Sequence, residues 1–265
     1  MSPQTVTAPV LPNVQLGYIL PTRVGDAIAW QFYRACPPQM MLVAYPINLG
    51  AFTREGVASA LASLWPAHDF LVERRVDRIV QGGIPVSAIM GREWVLRFLD
   101  EAQQRSPIPT SADFEEVIEA FGVLGCRKIA VAAKWDDVLM SQVADYLRHA
   151  GLEPLGWVSE AHTAAQVMQV GPAEGHELAL ALGRNAFRAC PQADALLLAG
   201  GSWISAGAVA SLEQEFGRPV VTNPCATWWA AMRQAGLLPA HEGQGMLIDG
   251  LRGPTRLGVE KGTGT

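Results

Sequence analysis

Arg78-Ile-Val-Gln-Gly-Gly83 and Ala195-Leu-Leu-Leu-Ala-Gly-Gly201 are two short apolar runs that each end in a glycine pair. Runs of this length suit strands buried on both faces, as in a parallel sheet. The glycine pair lets the backbone come close to whatever lies beyond the strand end. Pro107-Ile-Pro-Thr110-Ser111 and Pro219-Val-Val-Thr222-Asn223 follow in the same order. Each reads as a strand, a threonine and a capping residue, then a helix closed by Gly122 or Gly236. One α/β unit is therefore used twice. The expectation is two pseudo-symmetric α/β lobes, each a parallel sheet flanked by helices, with the site in the cleft between them.

The flanking segments fit this reading. Leu16–Leu20, Met41–Ile47, Lys128–Ala133 and Leu155–Val158 read as further strands, the first ending at Pro21-Thr22. Thr53 caps a helix running to Glu73, and Asp136 caps one running to Ala150. Ser111 is expected to cap the helix Ala112–Phe121, whose first turns hold Asp113, Glu115 and Glu116, where the helix dipole favours acids. Arg92–Gln103, His176–Ala189, Ser205–Phe216 and Cys225–Ala235 complete the helices. The expected organisation is a disordered leader over 1–14 and a first α/β lobe over 15–110, with 225–250 able to pack on it. A second α/β lobe covers 111–238, and a flexible tail covers 252–265.

Composition narrows the function. The chain has 265 residues, 49% hydrophobic and 17% charged, so it has ample material for a core. A net charge of −5 with no basic run argues against nucleic acid and anionic membranes as partners. The 18 uncharged residues Ala195–Leu212 approach a membrane-span length, but Gly200-Gly201-Ser202 interrupts them. A cytoplasmic protein is expected, and its apolar fraction leaves room for a homo-oligomer interface. Four scattered cysteines, Cys36, Cys126, Cys190 and Cys225, form no C-x-x-C pair, so neither a disulfide scaffold nor a metal site is expected.

In parallel α/β sheets ligands bind beyond the carboxyl ends of the strands. Those ends are Pro21-Thr22, Gly82-Gly83, Thr110-Ser111, Lys134-Trp135, Gly200-Gly201-Ser202 and Thr222-Asn223. Glycine N–H groups, helix N-termini and small hydroxyls together suit a small carboxylate. No G-x-G-x-x-G follows the first strand, and no Walker A, G-x-S-x-G or H-E-x-x-H motif occurs.

Several stretches resemble the aspartate/glutamate racemase superfamily, most closely its arylmalonate decarboxylase and maleate isomerase branch. They are Gly17-Tyr-Ile-Leu-Pro21, Leu49-Gly-Ala-Phe-Thr-Arg-Glu-Gly-Val57, Leu124-Gly-Cys-Arg-Lys-Ile-Ala-Val-Ala132, Asp136-Asp-Val138, Leu197-Leu-Ala-Gly-Gly201 and Pro219-Val-Val-Thr-Asn223. The resemblance spans roughly residues 16–238. It implies two Rossmann-like lobes and cofactor-free chemistry through a carbanion or enediolate, or covalent cysteine addition in the isomerases. Racemases and isomerases of this kind use two opposed cysteines, and the decarboxylases keep the second. Here those positions fall at Gly83 and Gly200, and glycine moves no proton. A tyrosine position of the family falls at Lys134, and its hydroxyl pair falls at Ile84 and Pro85, near Ser87.

Two groups remain as catalytic candidates. Lys134 sits at a strand end, where it can pair with a carboxylate or act as a base if desolvated. Cys225 opens the last helix, whose N-terminus favours a thiolate. Pro21, Thr22, Gly82, Gly83, Ile84, Trp135, Gly200, Gly201, Ser202, Trp203 and Asn223 are expected to bind substrate, with Ser202 as an oxyanion donor and Trp203 as an aromatic wall. Three functions fit these residues. One is a cofactor-independent decarboxylase or isomerase on a small carboxylate, aryl-bearing ones included. Another is a hydrolase or lyase using water and a non-thiol base, and the third is a non-catalytic carboxylate binder.

Overall fold

The computed structural model describes residues 10–253. Residues 1–9 of the expected leader and 254–265 of the expected tail lie outside the described residues, and the first strand already begins at Val14. Among the described residues, eight strands form two sheets. β1 (Val14–Leu20), β2 (Met40–Pro46), β3 (Arg78–Gln81) and β4 (Thr110–Ala112) form the first, in the order β2-β1-β3-β4. β5 (Lys128–Ala133), β6 (Glu153–Ser159), β7 (Ala195–Leu198) and β8 (Val220–Val221) form the second, in the order β6-β5-β7-β8. Every pairing is parallel, and helices flank both sheets. The two α/β lobes read from the repeat are thus present, with the same strand order in each.

Local signals explain most of the element boundaries. The Thr53 side chain caps Arg54–Leu61, accepting from Gly56 N at 3.1 Å, and Asp136 caps Asp137–His149, accepting from Leu139 N at 2.9 Å. The single helix expected from Thr53 to Glu73 is two, Arg54–Leu61 and Leu64–Glu73. Pro66 supplies the reason: its ring would clash with the Ala62 carbonyl in a continuous helix. The strand expected at Pro107–Thr110 lies later, at Thr110–Ala112, because neither Pro107 nor Pro109 has an N–H for the ladder. Its helix therefore starts at Asp113, with no side-chain cap from Ser111. The Ser111 hydroxyl donates instead to Glu116 Oε1 at 2.6 Å. Helices Asp26–Ala35 and Ile84–Met90 were not among the expected elements.

The helices Asp113–Val123 and Asn223–Ala235, each following the last strand of its sheet, pack on one another. The Asn223 helix also packs on Asp26–Ala35. At the centre of the helix pair, buried Glu116 accepts from Arg78 at 2.6 Å and from Thr227 Oγ1 at 2.7 Å. An acid so buried depends on these partners, because an unpaired charge there would be costly. This polar core brings the N-termini of the two helices together at the strand ends.

Candidate active site

The strand registers define which residues of the two lobes correspond. Ile19 pairs with Gln81, and Ala132 pairs with Leu198. Pro21 therefore corresponds to Lys134, and Gly83 corresponds to Gly200. These glycines share nearly the same positive φ, +106 and +108. At Gly83 a Cβ would also meet Pro21 Cβ at 2.8 Å, while at Gly200 it would meet Trp203 Nε1 at 3.4 Å. Gln81 pairs with Ala112, and Leu197 with Val221, so Asp113 corresponds to Asn223.

These last two residues meet. Asp113 Oδ2 accepts from Gly83 N at 2.8 Å and from Asn223 Nδ2 at 2.8 Å, and Asn223 Oδ1 accepts from Gly200 N at 3.0 Å. Tyr18 OH adds a long contact to Asp113 at 3.4 Å. Burial pushes the Asp113 carboxyl up to about 7, against the pull of the Gly83 N–H and the Asn223 amide. The N–H groups of Gly83 and Gly200 are thus committed within the protein. This corrects the expectation that they cradle an anion. Thr22 is likewise engaged, its hydroxyl donating to Val24 O at 2.8 Å. Among the described residues, the N–H groups of Ile84, Gly201 and Ser202 have no intramolecular acceptor and remain as donors.

A cavity of about 50 Å³ lies between the strand ends. Pro21, Thr22, Gly83, Ile84, Lys134, Trp135, Gly200, Gly201, Ser202 and Asn223 line it, joined by Tyr18, Phe52, Ala164 and Val167. Ala164 and Val167 come from a short helix held by a Thr163–Gln166 capping box. His162, just before it, donates its backbone N–H to Lys134 O at 3.3 Å. Ile28 and Ser202 also line a wider neighbouring cavity of about 490 Å³, so the small chamber adjoins a larger one.

Among the described residues, Lys134 is the only cation on this lining, and no carboxylate lines it. Lys134 is 1% exposed, and among the described residues Nζ has no hydrogen-bond partner. The ammonium group lies 4.4 Å from the centre of the Trp203 ring. That contact is too weak to offset burial, which lowers the amine from its ordinary 10.5 to about 7. The shift disfavours the protonated form by roughly 5 kcal/mol.

Three expected site residues stand elsewhere. Gly82 packs on the Tyr18 ring and leaves the cavity wall to Gly83. Trp203 is buried behind Lys134, with its indole N–H on Gly200 O, so it supports the lysine and forms no wall of this cavity. Cys225 does not line the cavity, and burial pushes its thiol up to about 12, so the helix N-terminus yields no thiolate there. Asp113 and Tyr18 were not among the expected site residues. Asp113 was hidden by aligning the two repeats on their prolines, which sets them two residues out of register.

The family model of arylmalonate decarboxylase matches residues 16–248. The chain belongs to the arylmalonate decarboxylase family. It is 26% identical to the arylmalonate decarboxylase of Bordetella bronchiseptica over 238 residues, 88% of this chain and 96% of that protein. It is 30% identical to a maleate isomerase of Pseudomonas putida over 146 residues, 55% of this chain and 56% of that protein. Its fold superposes on a liganded arylmalonate decarboxylase mutant, with one glycine changed to cysteine and one cysteine to serine. The TM-score is 0.82 at 24% identity, covering 89% of this chain and 99% of that one. Within the arylmalonate decarboxylase family fold, Gly83, Gly200 and Lys134 share one chamber, and among the described residues no cysteine lines it.

Proposed function

We propose that this chain is a cofactor-independent decarboxylase or isomerase of a small carboxylate, in which Lys134 and no thiol moves the proton. One observation carries this reading. The cavity with glycine at both expected thiol positions is lined by one lysine, whose buried amine has no hydrogen-bond partner among the described residues. Membership of the family supports the reaction class. The absence of thiols from the lining favours decarboxylation with proton transfer over covalent cysteine addition.

The chemistry follows from the lining. A substrate with two carboxylates on one carbon places the retained group against the N–H groups of Ile84, Gly201 and Ser202. The other group lies among Leu20, Ile28 and Phe52, where an anion is poorly solvated. The C–C bond breaks, carbon dioxide leaves, and the electron pair spreads into the retained carboxylate. The three donors then oppose the enediolate charge. Lys134 gives a proton from Nζ to the carbon and becomes a neutral amine, the form its burial favours. Solvent reloads it. The 490 Å³ cavity beside Ile28 and Ser202 takes the larger substituent.

A panel of substituted malonates and maleate in heavy water tests this. Expected are carbon dioxide release with one deuterium on the new C–H position, and loss of both in Lys134→Ala. Turnover undiminished in Lys134→Ala sinks the assignment of Lys134.

A further inference from the structure

A buried amine with no partner is a nucleophile as well as a proton carrier. We infer that Lys134 also attacks ketones, and that the site accepts 3-oxo carboxylates, which it decarboxylates through an imine. This rests on the reading above that the cavity is the reaction site. Three features of the structure support it. Among the described residues, Nζ has no acceptor, and no carboxylate on the lining holds it as a spectator ammonium. Glycine at positions 83 and 200 puts no thiol there, and among the described residues no cysteine lines the cavity to compete for an electrophilic carbon. The Trp203 face, 4.4 Å from Nζ, lies where a protonated imine would carry its charge, and a ring face stabilises an iminium as it does an ammonium.

The bonds balance without a co-reactant beyond water. The Nζ lone pair forms a C–N bond at the ketone carbon, and the ketone oxygen leaves as water, giving an iminium. The bond to the carboxylate then breaks, carbon dioxide departs, and its electron pair neutralises the iminium as an enamine. A proton from water returns to the enamine carbon. Water next adds to the iminium carbon, the C–N bond breaks, and ketone and free amine are released. The net change is one proton consumed and one carbon dioxide formed.

The chain has three lysines, Lys128, Lys134 and Lys261, so trapping is easily located. The full chain is incubated with 3-oxobutanoate, quenched with sodium borohydride and mapped by peptide mass. The expected result is an isopropyl group on Lys134, absent in Lys134→Ala and in Lys134→Arg, which keeps a cation and guards against simple misfolding. Heavy oxygen from labelled water should also enter the product ketone at the rate of turnover. No adduct in the wild type, or an adduct on Lys128 or Lys261 alone, overturns the inference. Loss of malonate turnover in Lys134→Ala without any 3-oxobutanoate adduct removes the imine and leaves the proton-donor reading standing. An adduct with no turnover of any malonate does the opposite.

Discussion

The two lobes use one backbone for different purposes. In the first, β1 ends in Pro21-Thr22, the glycine turn is Gly83, and its N–H is held by Asp113. In the second, β5 ends in Lys134-Trp135, the turn is Gly200, and its N–H is held by Asn223. The turns match to within 2° in φ, so the backbone role is shared. What differs is the first side chain beyond the strand. Pro21 shapes the wall and closes the space at Gly83, while Lys134 brings an ionisable group into an apolar chamber. In the proposed mechanism the shared strand ends frame the ligand, and one strand-end residue sets which lobe supplies the chemistry.

The largest effect should come from erasing that difference. Lys134→Ala is expected to reduce kcat by roughly 10²–10⁴-fold, the usual worth of a positioned proton-transfer group. The pH profiles separate its two roles. Decarboxylation of a malonate needs the ammonium and should fall as pH rises through about 7, whereas imine trapping needs the free amine and should rise over the same range.

Next is stability. The native state holds the Lys134 amine near 7, below its ordinary 10.5, so the unfolded chain binds more protons between these values. Stability from this group therefore increases as pH rises from 7 to 10.5 and is poorest below 7. Lys134→Met should stabilise the protein by at most about 5 kcal/mol near pH 6. The gain should shrink steadily towards pH 10.5, measured by chemical denaturation. A gain that is flat with pH would contradict the buried-amine account.

The repeat made the fold and most of this chamber legible. The strand-end glycines, the capping residues Thr53 and Asp136, and Lys134 were visible because each is a local signal. Asp113 was not. Its carboxylate reads as an ordinary first-turn acid, and its partner Asn223 lies 110 residues away. Only strand register pairs them, and Pro107 and Pro109 displaced β4 from the position that the repeat suggested. Cys225 misled for a related reason. A helix N-terminus favours a thiolate only where water or a cation shares the load, and this one is buried.

Smaller effects sharpen the lobe comparison. Asp113→Ala leaves the Gly83 N–H and the Asn223 amide unpaired and should cost about 1–3 kcal/mol of stability. Asp113→Asn should cost less, because the amide oxygen can still accept. Trp203→Phe keeps a ring face near Lys134 but removes the indole donor to Gly200 O. A loss of about 1 kcal/mol is expected, with the Lys134 titration little changed.

The most direct test of the central claim is an NMR titration of side-chain-labelled lysine in the intact protein. With three lysines in the chain, Lys134→Met assigns the decisive signal by its disappearance. The account predicts one lysine titrating near 7, missing from the variant. If all three lysines titrate near their ordinary value of 10.5, Lys134 is a spectator ammonium and the proposed chemistry has no proton carrier.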